Sequence, residues 1–324
     1  MRVMNGEHSA PLRVRAHHQV TLRIPGFERA EEGRSVVQYA FEPYAAEEWY
    51  RMVTRRIADR LGKGYFPIFR FSDGECYFCL GYRMPRPQPG SSAFYHYFRT
   101  IISAYGKYRC HNTFWSGLPG YGHEVYRGHK WRELRLVFAE QLREIAGSGL
   151  IAANFCKHHI PGMIDRYIPD IFDWFDAENI RLDSDNYIPF YFIYGMLLGP
   201  NRHHFLARRH VLVITSLNSG KETKLREFFE GAGVSSVKFI PISRSHSMSD
   251  RIELRPEHAR TDLVLVGAGV GAANILSQVK PLNTLSIDAG YVLECYQDPS
   301  YKGARVFTLP DEDLACDRSI GIHA

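Results

Sequence analysis

The residues from His210 onward leave little freedom in the choice of fold. His210-Val211-Leu212-Val213-Ile214-Thr215 is a short β-branched run of the kind that makes a buried strand. Lys221 to Glu230 then has a charged, amphipathic helical pattern, ending at Gly231 and Gly233. Val237 to Ile242 and Asp262 to Val266 read as two more strands, Val270 to Val279 as a helix, and Thr284 to Ile287 as a strand. Strands that alternate with helices imply a parallel sheet with right-handed crossovers. The expected class is α/β: a Rossmann-like parallel sheet flanked by helices.

The earlier part of the chain continues the pattern less cleanly. Trp49, Met52, Val53, Ile57 and Leu61 recur at three- and four-residue steps, so Tyr44 to Leu61 is expected to be a helix, closed by Gly62 and Gly64. Phe66 to Phe71 has the length and residue types of a buried strand. Ser91 to Tyr108 reads as an aromatic-rich helix and Trp131 to Ala146 as another. Gly149 to Phe155 reads as a strand, and Ile160 to Asp176 and Tyr187 to Leu198 as apolar helices. Met84 to Gly90 is a proline-rich loop. The expected organisation is an irregular arm over 1–40 with room for a short strand, and a single α/β domain over 41–300. That domain would carry a helical, aromatic-rich insertion at about 91–200, and 301–324 would form a tail.

Composition narrows the function classes. The chain has 324 residues, long enough to bury a substantial core, and 45% of them are apolar. A net charge of +5 suits an anionic ligand, but no Lys/Arg-rich run argues for nucleic acid. Cys76 and Cys79 form a lone C-x-x-C without the second pair that a zinc ribbon needs, so reduced, partly buried thiols are expected. The longest apolar run, Ile188 to Leu198, is far short of the ~20 residues of a membrane span. With no signal-peptide pattern at the start, these features predict a soluble cytoplasmic protein.

Three strand ends carry residues with chemical potential. The first is Arg70-Phe71-Ser72-Asp73-Gly74-Glu75. If Asp73 and Glu75 are locally extended, their carboxylates leave one face and make an oxygen half-site for Mg²⁺ or Mn²⁺. Arg70 beside them suits a phosphate oxygen. The alternative is an ordinary Asp-Gly turn in which Arg70 pairs with Glu75. The second is Val266-Gly267-Ala268-Gly269-Val270-Gly271-Ala272, which follows a strand, opens a helix and is followed by Asp288. Its glycines, Gly267, Gly269 and Gly271, allow backbone N–H groups to approach a phosphate, or else allow close helix-on-strand packing. The third is Ser216 to Lys221, which lacks the glycine and hydroxyl of a phosphate loop. Its helix start and Lys221 suit an anion, with capping by Ser219 or Asn218 as the plainer account. The Gly-rich loop Trp115 to Gly122 could stack rings on a sugar face.

The order of these motifs resembles the GT-D class of bacterial glycosyltransferases. Arg70 to Glu75 is similar to that family's Arg-x-Gly-Asp-Gly-Glu signature, with Ser72 in place of the usual glycine. Leu263 to Gly269 and Ile287-Asp288-Ala289-Gly290 are similar to its closing strand, Gly-rich turn and Asp-x-Gly, with Tyr291 where the family often has His. The likeness spans about residues 50 to 296. It implies a metal-dependent glycosyltransferase of polysaccharide biosynthesis. The donor would be a nucleotide-diphosphate sugar, the cofactor Mn²⁺ or Mg²⁺, and the acceptor a glycan, lipid-linked saccharide or glycoprotein. On that resemblance Asp73 and Glu75 hold the metal. Arg70 steadies a phosphate oxygen or orients the carboxylates. The turn of Gly267, Gly269 and Gly271 offers backbone donors to the nucleotide or allows close packing, and Lys221 is a further candidate for its phosphates. Asp288 contacts a sugar hydroxyl or acts as base, with Asp185 a weaker base candidate. Two other readings stay open: a nucleotide- or S-adenosylmethionine-binding transferase built on Gly267–Gly271, and a non-catalytic glycan-binding relative.

Overall fold

The computed structural model describes residues 18–21, 37–40, 46–80, 128–153, 164–199, 201–243 and 246–298. Within the N-terminal arm, β1 (His18–Thr21) and β2 (Val37–Ala40) pair antiparallel as a separate two-stranded sheet. The helix expected next is α1 (Ala46–Ala58), with Tyr50, Val53 and Ile57 buried and Arg51, Arg55 and Arg56 exposed. It leads into β3 (Phe66–Phe71), every residue of which is buried.

From β3 the chain turns directly into α2 (Asp73–Leu80). After α3 (Gly128–Ser148) and β4 (Leu150–Ala153) come α4 (Ile164–Ala177), β5 (Tyr187–Pro189), α5 (Tyr191–Leu198) and α6 (Arg202–Leu206). The last third is β6 (His210–Thr215), α7 (Ser219–Gly231), β7 (Ser236–Pro241), β8 (Leu263–Gly267), α8 (Ala272–Gln278), β9 (Leu285–Asp288) and α9 (Tyr291–Gln297). Strands β3 to β9 form one seven-stranded parallel sheet in the order β5-β4-β3-β9-β8-β6-β7. The α/β class is therefore as expected.

Side-chain alternation along β3 tells the two faces apart. Phe69 stacks edge-on with Phe138 of α3, and Phe71 meets Phe175 of α4. Arg70 points the other way, towards Tyr194 of α5. Helix α8 packs on α3, and α2 on α4, so these cover the Phe69 face. On the Arg70 face, α1 packs on α5, and α9 packs on both α5 and α7. Both faces are thus covered, as a parallel sheet requires. Each fully buried ring contributes about 1.5–3 kcal/mol relative to exposure.

One expected helix proves to be two elements. Tyr187 to Leu198 was expected to be helical throughout, but Tyr187–Pro189 pairs with β4 and only Tyr191–Leu198 is helical. The run is apolar at every position, so it shows no period that would separate a buried strand from a buried helix. The proline-rich loop at 84–90, the aromatic helix at 91–108 and the loop at 115–122 lie outside the described residues. Cys76, Cys79 and Cys295 are buried and outside any disulfide. Among the described residues, no helix is long and apolar enough to cross a membrane.

A short 3₁₀ turn, Pro256–Arg260, leads into β8 and buries His258, whose Nδ1 accepts the Arg255 N–H. Burial holds this imidazole below its ordinary value of 6.5. The unfolded chain then binds the extra proton first as pH falls, so this contribution to stability is full above 6.5 and is lost below it. The urea midpoint should fall on crossing 6.5 downward, and His258→Asn should flatten that dependence.

Candidate functional site

In an open parallel sheet the ligand crevice lies beyond the carboxyl ends of two neighbouring strands whose connections leave to opposite faces. Here those strands are β3 and β9, which pair from Phe66↔Leu285 to Ile68↔Ile287. The chain leaves β3 into α2 on one face and leaves β9 into α9 on the other. The two sequence segments singled out as Arg70–Glu75 and Asp288–Gly290 therefore end side by side.

They also touch. The Arg70 backbone N–H donates to Asp288 Oδ2 at 3.2 Å, and Arg70 Nη2 donates to Oδ1 at 3.3 Å. Arg70 Nη1 donates to the Tyr194 hydroxyl at 3.2 Å. The guanidinium lies 5.1 Å from the Phe190 ring centroid and 5.7 Å from that of Tyr194. Arg70 is 7% exposed and Asp288 2%. Burial pushes the Asp288 carboxyl above its ordinary value of 3.8, against the pull of the Arg70 charge. Burial likewise pushes the Tyr194 hydroxyl up to about 12, so it stays protonated.

Gly290 makes this approach possible. A Cβ there would lie 1.4 Å from Arg70 Nη2, and the residue sits at φ +43. The Asp-x-Gly sequence is thus a seat for the arginine: Asp288 supplies the countercharge and Gly290 the space. Arg70 and Asp288 form a buried, hydrogen-bonded ion pair. Asp288 is buried with this pair.

The carboxylate pair is arranged differently from the extended expectation. Asp73 and Glu75 are the first and third residues of α2, and residues two apart on a helix are about 200° apart around its axis. The backbone here is helical, so the shared face of an extended segment does not apply. Glu75 Oε2 accepts the Ser72 N–H at 2.9 Å, and the Cys76 N–H bonds the Ser72 carbonyl at 3.0 Å. This is the Glu half of a capping box, with Ser72 as N-cap and Glu75 as the third helical residue. The Ser-x-x-Glu spacing was visible in the sequence, but the Asp-Gly dipeptide within it argued for a turn.

The Gly-rich turn is filled by protein. A Cβ on Gly267 would come within 2.8 Å of Thr215 and Leu293, and one on Gly271 within 2.3 Å of Ser247. Ser247, missed in the sequence, donates to the Ala268 carbonyl at 2.8 Å. Its segment is held by Asn274, whose side-chain amide donates to the Ser247 and Asp250 carbonyls. Gly267 and Gly271 therefore serve close packing, while Gly269 takes a left-handed backbone at φ +55.

Two other candidates stand apart from the β3–β9 crevice. Asn218 caps α7 by accepting the Lys221 N–H, and Lys221 Nζ pairs with Glu294 at 3.0 Å. Asp185 was expected to precede a helix, but it precedes β5 and so lies at the amino edge of the sheet, opposite the crevice. An open groove of about 600 Å³ runs beside β7, lined by Asn218, Arg226, Lys238, Phe239 and His258 among others. It lies four strands from β3, about 19 Å by strand spacing, and its chemistry is separate from the Arg70–Asp288 cluster.

No family model and no curated protein matches the chain. Solved structures are similar at low identity. A glycosyltransferase from Streptococcus sanguinis, carrying domain of unknown function 1792, is 15% identical. The match covers 75% of this chain and 83% of that one, with a TM-score of 0.39. A selenomethionine-substituted structure of the same domain is 13% identical, covering 81% of this chain and 87% of that one at a TM-score of 0.45. With the same four values, the chain is also similar to a structure of that domain described as having a distinct glycosyltransferase fold.

Proposed function

We propose that this protein is a metal-dependent glycosyltransferase that moves a sugar from a nucleotide-diphosphate sugar to a glycan or glycoconjugate acceptor in the cytoplasm. One observation carries the reading. The two segments that resemble the GT-D signatures are joined by the Arg70–Asp288 pair, 218 residues apart in sequence. They meet at the carboxyl ends of neighbouring parallel strands, where such a sheet binds ligands.

The donor set at the head of α2 suits Mg²⁺ or Mn²⁺. Its carboxylates are hard oxygen ligands, and Mg²⁺ commonly takes one or two carboxylates and completes its shell with water and substrate phosphate. A cation here would complete its shell with water and the substrate diphosphate. When bound, it would neutralise charge on the leaving diphosphate. The protein's own part is positional. Arg70, anchored by Asp288 and Tyr194, fixes the end of β3, and the Ser72–Glu75 cap fixes the first turn of α2. In this reading Asp73, the first residue of α2, is a ligand at the carboxyl end of β3.

Calorimetric titration with UDP, GDP and dTDP, with and without Mn²⁺, tests the reading. One nucleotide should bind at least about tenfold more tightly with Mn²⁺, and Asp73→Asn should abolish that gain while keeping the wild-type circular dichroism. Sugar binding without any metal-dependent nucleotide binding would instead favour a non-catalytic glycan-binding protein.

A further inference from the structure

We propose that the outer face of α1 docks the protein on anionic phospholipid bilayers. Arg51, Arg55, Arg56, Arg60 and Lys63 meet the headgroups, and Met52 enters the acyl boundary. Nothing in this surface depends on the chemistry of the crevice.

The helix has two distinct sides. Trp49, Tyr50, Val53 and Ile57 are buried, with the Trp49 and Tyr50 rings edge-on to Phe192 of α5 at 5.2 Å each. Arg51, Met52, Arg55 and Arg56 are exposed and fall within about 140° of the helix circumference. Arg60 and Lys63, in the turn that follows, are also exposed. The Arg56 and Arg60 guanidinium groups lie 5.9 and 5.1 Å from the Phe66 ring centroid, which braces both at the surface.

These cations are uncompensated. Among the described residues none of the five has a carboxylate partner, whereas Lys221, Arg226 and Lys280 each pair with a glutamate. Against the exposed acids Glu48 and Asp59 they leave a surplus of three positive charges over 48–63, out of +5 for the whole chain. Such a surplus suits an anionic surface, where each Lys or Arg tightens partition about fivefold. Two features select a bilayer over a soluble polyanion. The convex side of a helix meets a plane along its length, about 20 Å for α1. Met52, in the middle of the arginines, is 48% exposed. An apolar side chain there gains from an acyl boundary and nothing from a phosphate backbone. The long arginine stems let their heads stay among the headgroups while Met52 goes deeper.

Co-sedimentation of the full chain with lipid vesicles tests this docking. At about 0.1 M salt the protein should bind vesicles of phosphatidylcholine with about 30% phosphatidylglycerol, and not vesicles of phosphatidylcholine alone. Salt at about 1 M should release it. Arg51→Gln with Arg55→Gln should weaken binding about 25-fold at an unchanged melting temperature, since neither side chain has a carboxylate partner. Arg132→Gln with Arg143→Gln removes the same charge from α3, on the other face of the sheet, and should keep binding within about twofold of wild type. Met52→Ser should weaken vesicle binding at least about threefold and leave heparin binding unchanged. Failure to bind the anionic vesicles would overturn the proposal, as would equal losses from the α1 and α3 pairs. A Met52→Ser protein that binds vesicles as wild type does would overturn the bilayer as partner and point to a soluble polyanion held by the arginines alone.

Discussion

Gly290→Ala is expected to cost about 5 kcal/mol of stability, enough to leave little folded protein. The new Cβ would sit 1.4 Å from Arg70 Nη2. The guanidinium has nowhere to go, because it is flanked by the Phe190 and Tyr194 rings and bonded to Asp288 and Tyr194. Displacing it leaves the buried Asp288 without its partner, a loss of about 3–5 kcal/mol for ion pairs of this kind. The left-handed backbone at φ +43 adds strain on the order of 1–3 kcal/mol for a residue with a side chain. Gly74→Ala is the control, since among the described residues its Cβ would meet only Val270, at 3.8 Å. Urea midpoints of the two variants should differ widely, and a Gly290→Ala midpoint equal to wild type would sink this account of the Asp-x-Gly sequence.

Asp288→Asn is expected to be the most damaging isosteric change in the described core, at about 3–5 kcal/mol. It keeps shape and a hydrogen-bond acceptor but strands a buried guanidinium. Arg70→Met should cost a similar amount by stranding the carboxylate. Together the two changes should cost less than their sum by about 2–3 kcal/mol, because neither leaves an uncompensated charge for the other to answer. Denaturation of the four proteins of this cycle measures that coupling, and strict additivity would show that the pair is not a unit.

These two residues also show what the sequence could and could not reveal. The strands β6, β8 and β9 were legible because each is a β-branched or aliphatic run bounded by polar or glycine residues, with no competing helical period. Strand β5 was hidden because three strand residues pass straight into a helix that is buried all round. The pairing of Arg70 with Asp288 had a signal that went unused. Each is a charge inside or closing an apolar strand, and buried charges need partners. What the sequence lacked was the strand order that sets β9 beside β3, a matter of long-range packing. The α2 start was misread because Asp-Gly is a strong turn signal, while the Ser-x-x-Glu around it is equally local and here prevails. Gly267 and Gly271 were ambiguous for a related reason: Thr215, Leu293 and Ser247, which fill the space beside them, come from three other parts of the chain.

The placement of β9 in the middle of the sheet has a consequence for biosynthesis. Strand β3 is made early, yet its neighbour on one side emerges only after some 218 more residues, the separation of Arg70 and Asp288. At ~5–20 residues per second, that wait is on the order of ten to forty seconds. During it β3 can pair with β4 alone, and its other edge offers a row of unpaired backbone groups to any passing strand. The buried arginine spends the same interval without its carboxylate. The β3–β9 pairing, and with it the completed sheet, therefore waits on synthesis of the C-terminal third. A nascent chain of this protein should need holding in solution until Asp288 has left the ribosome.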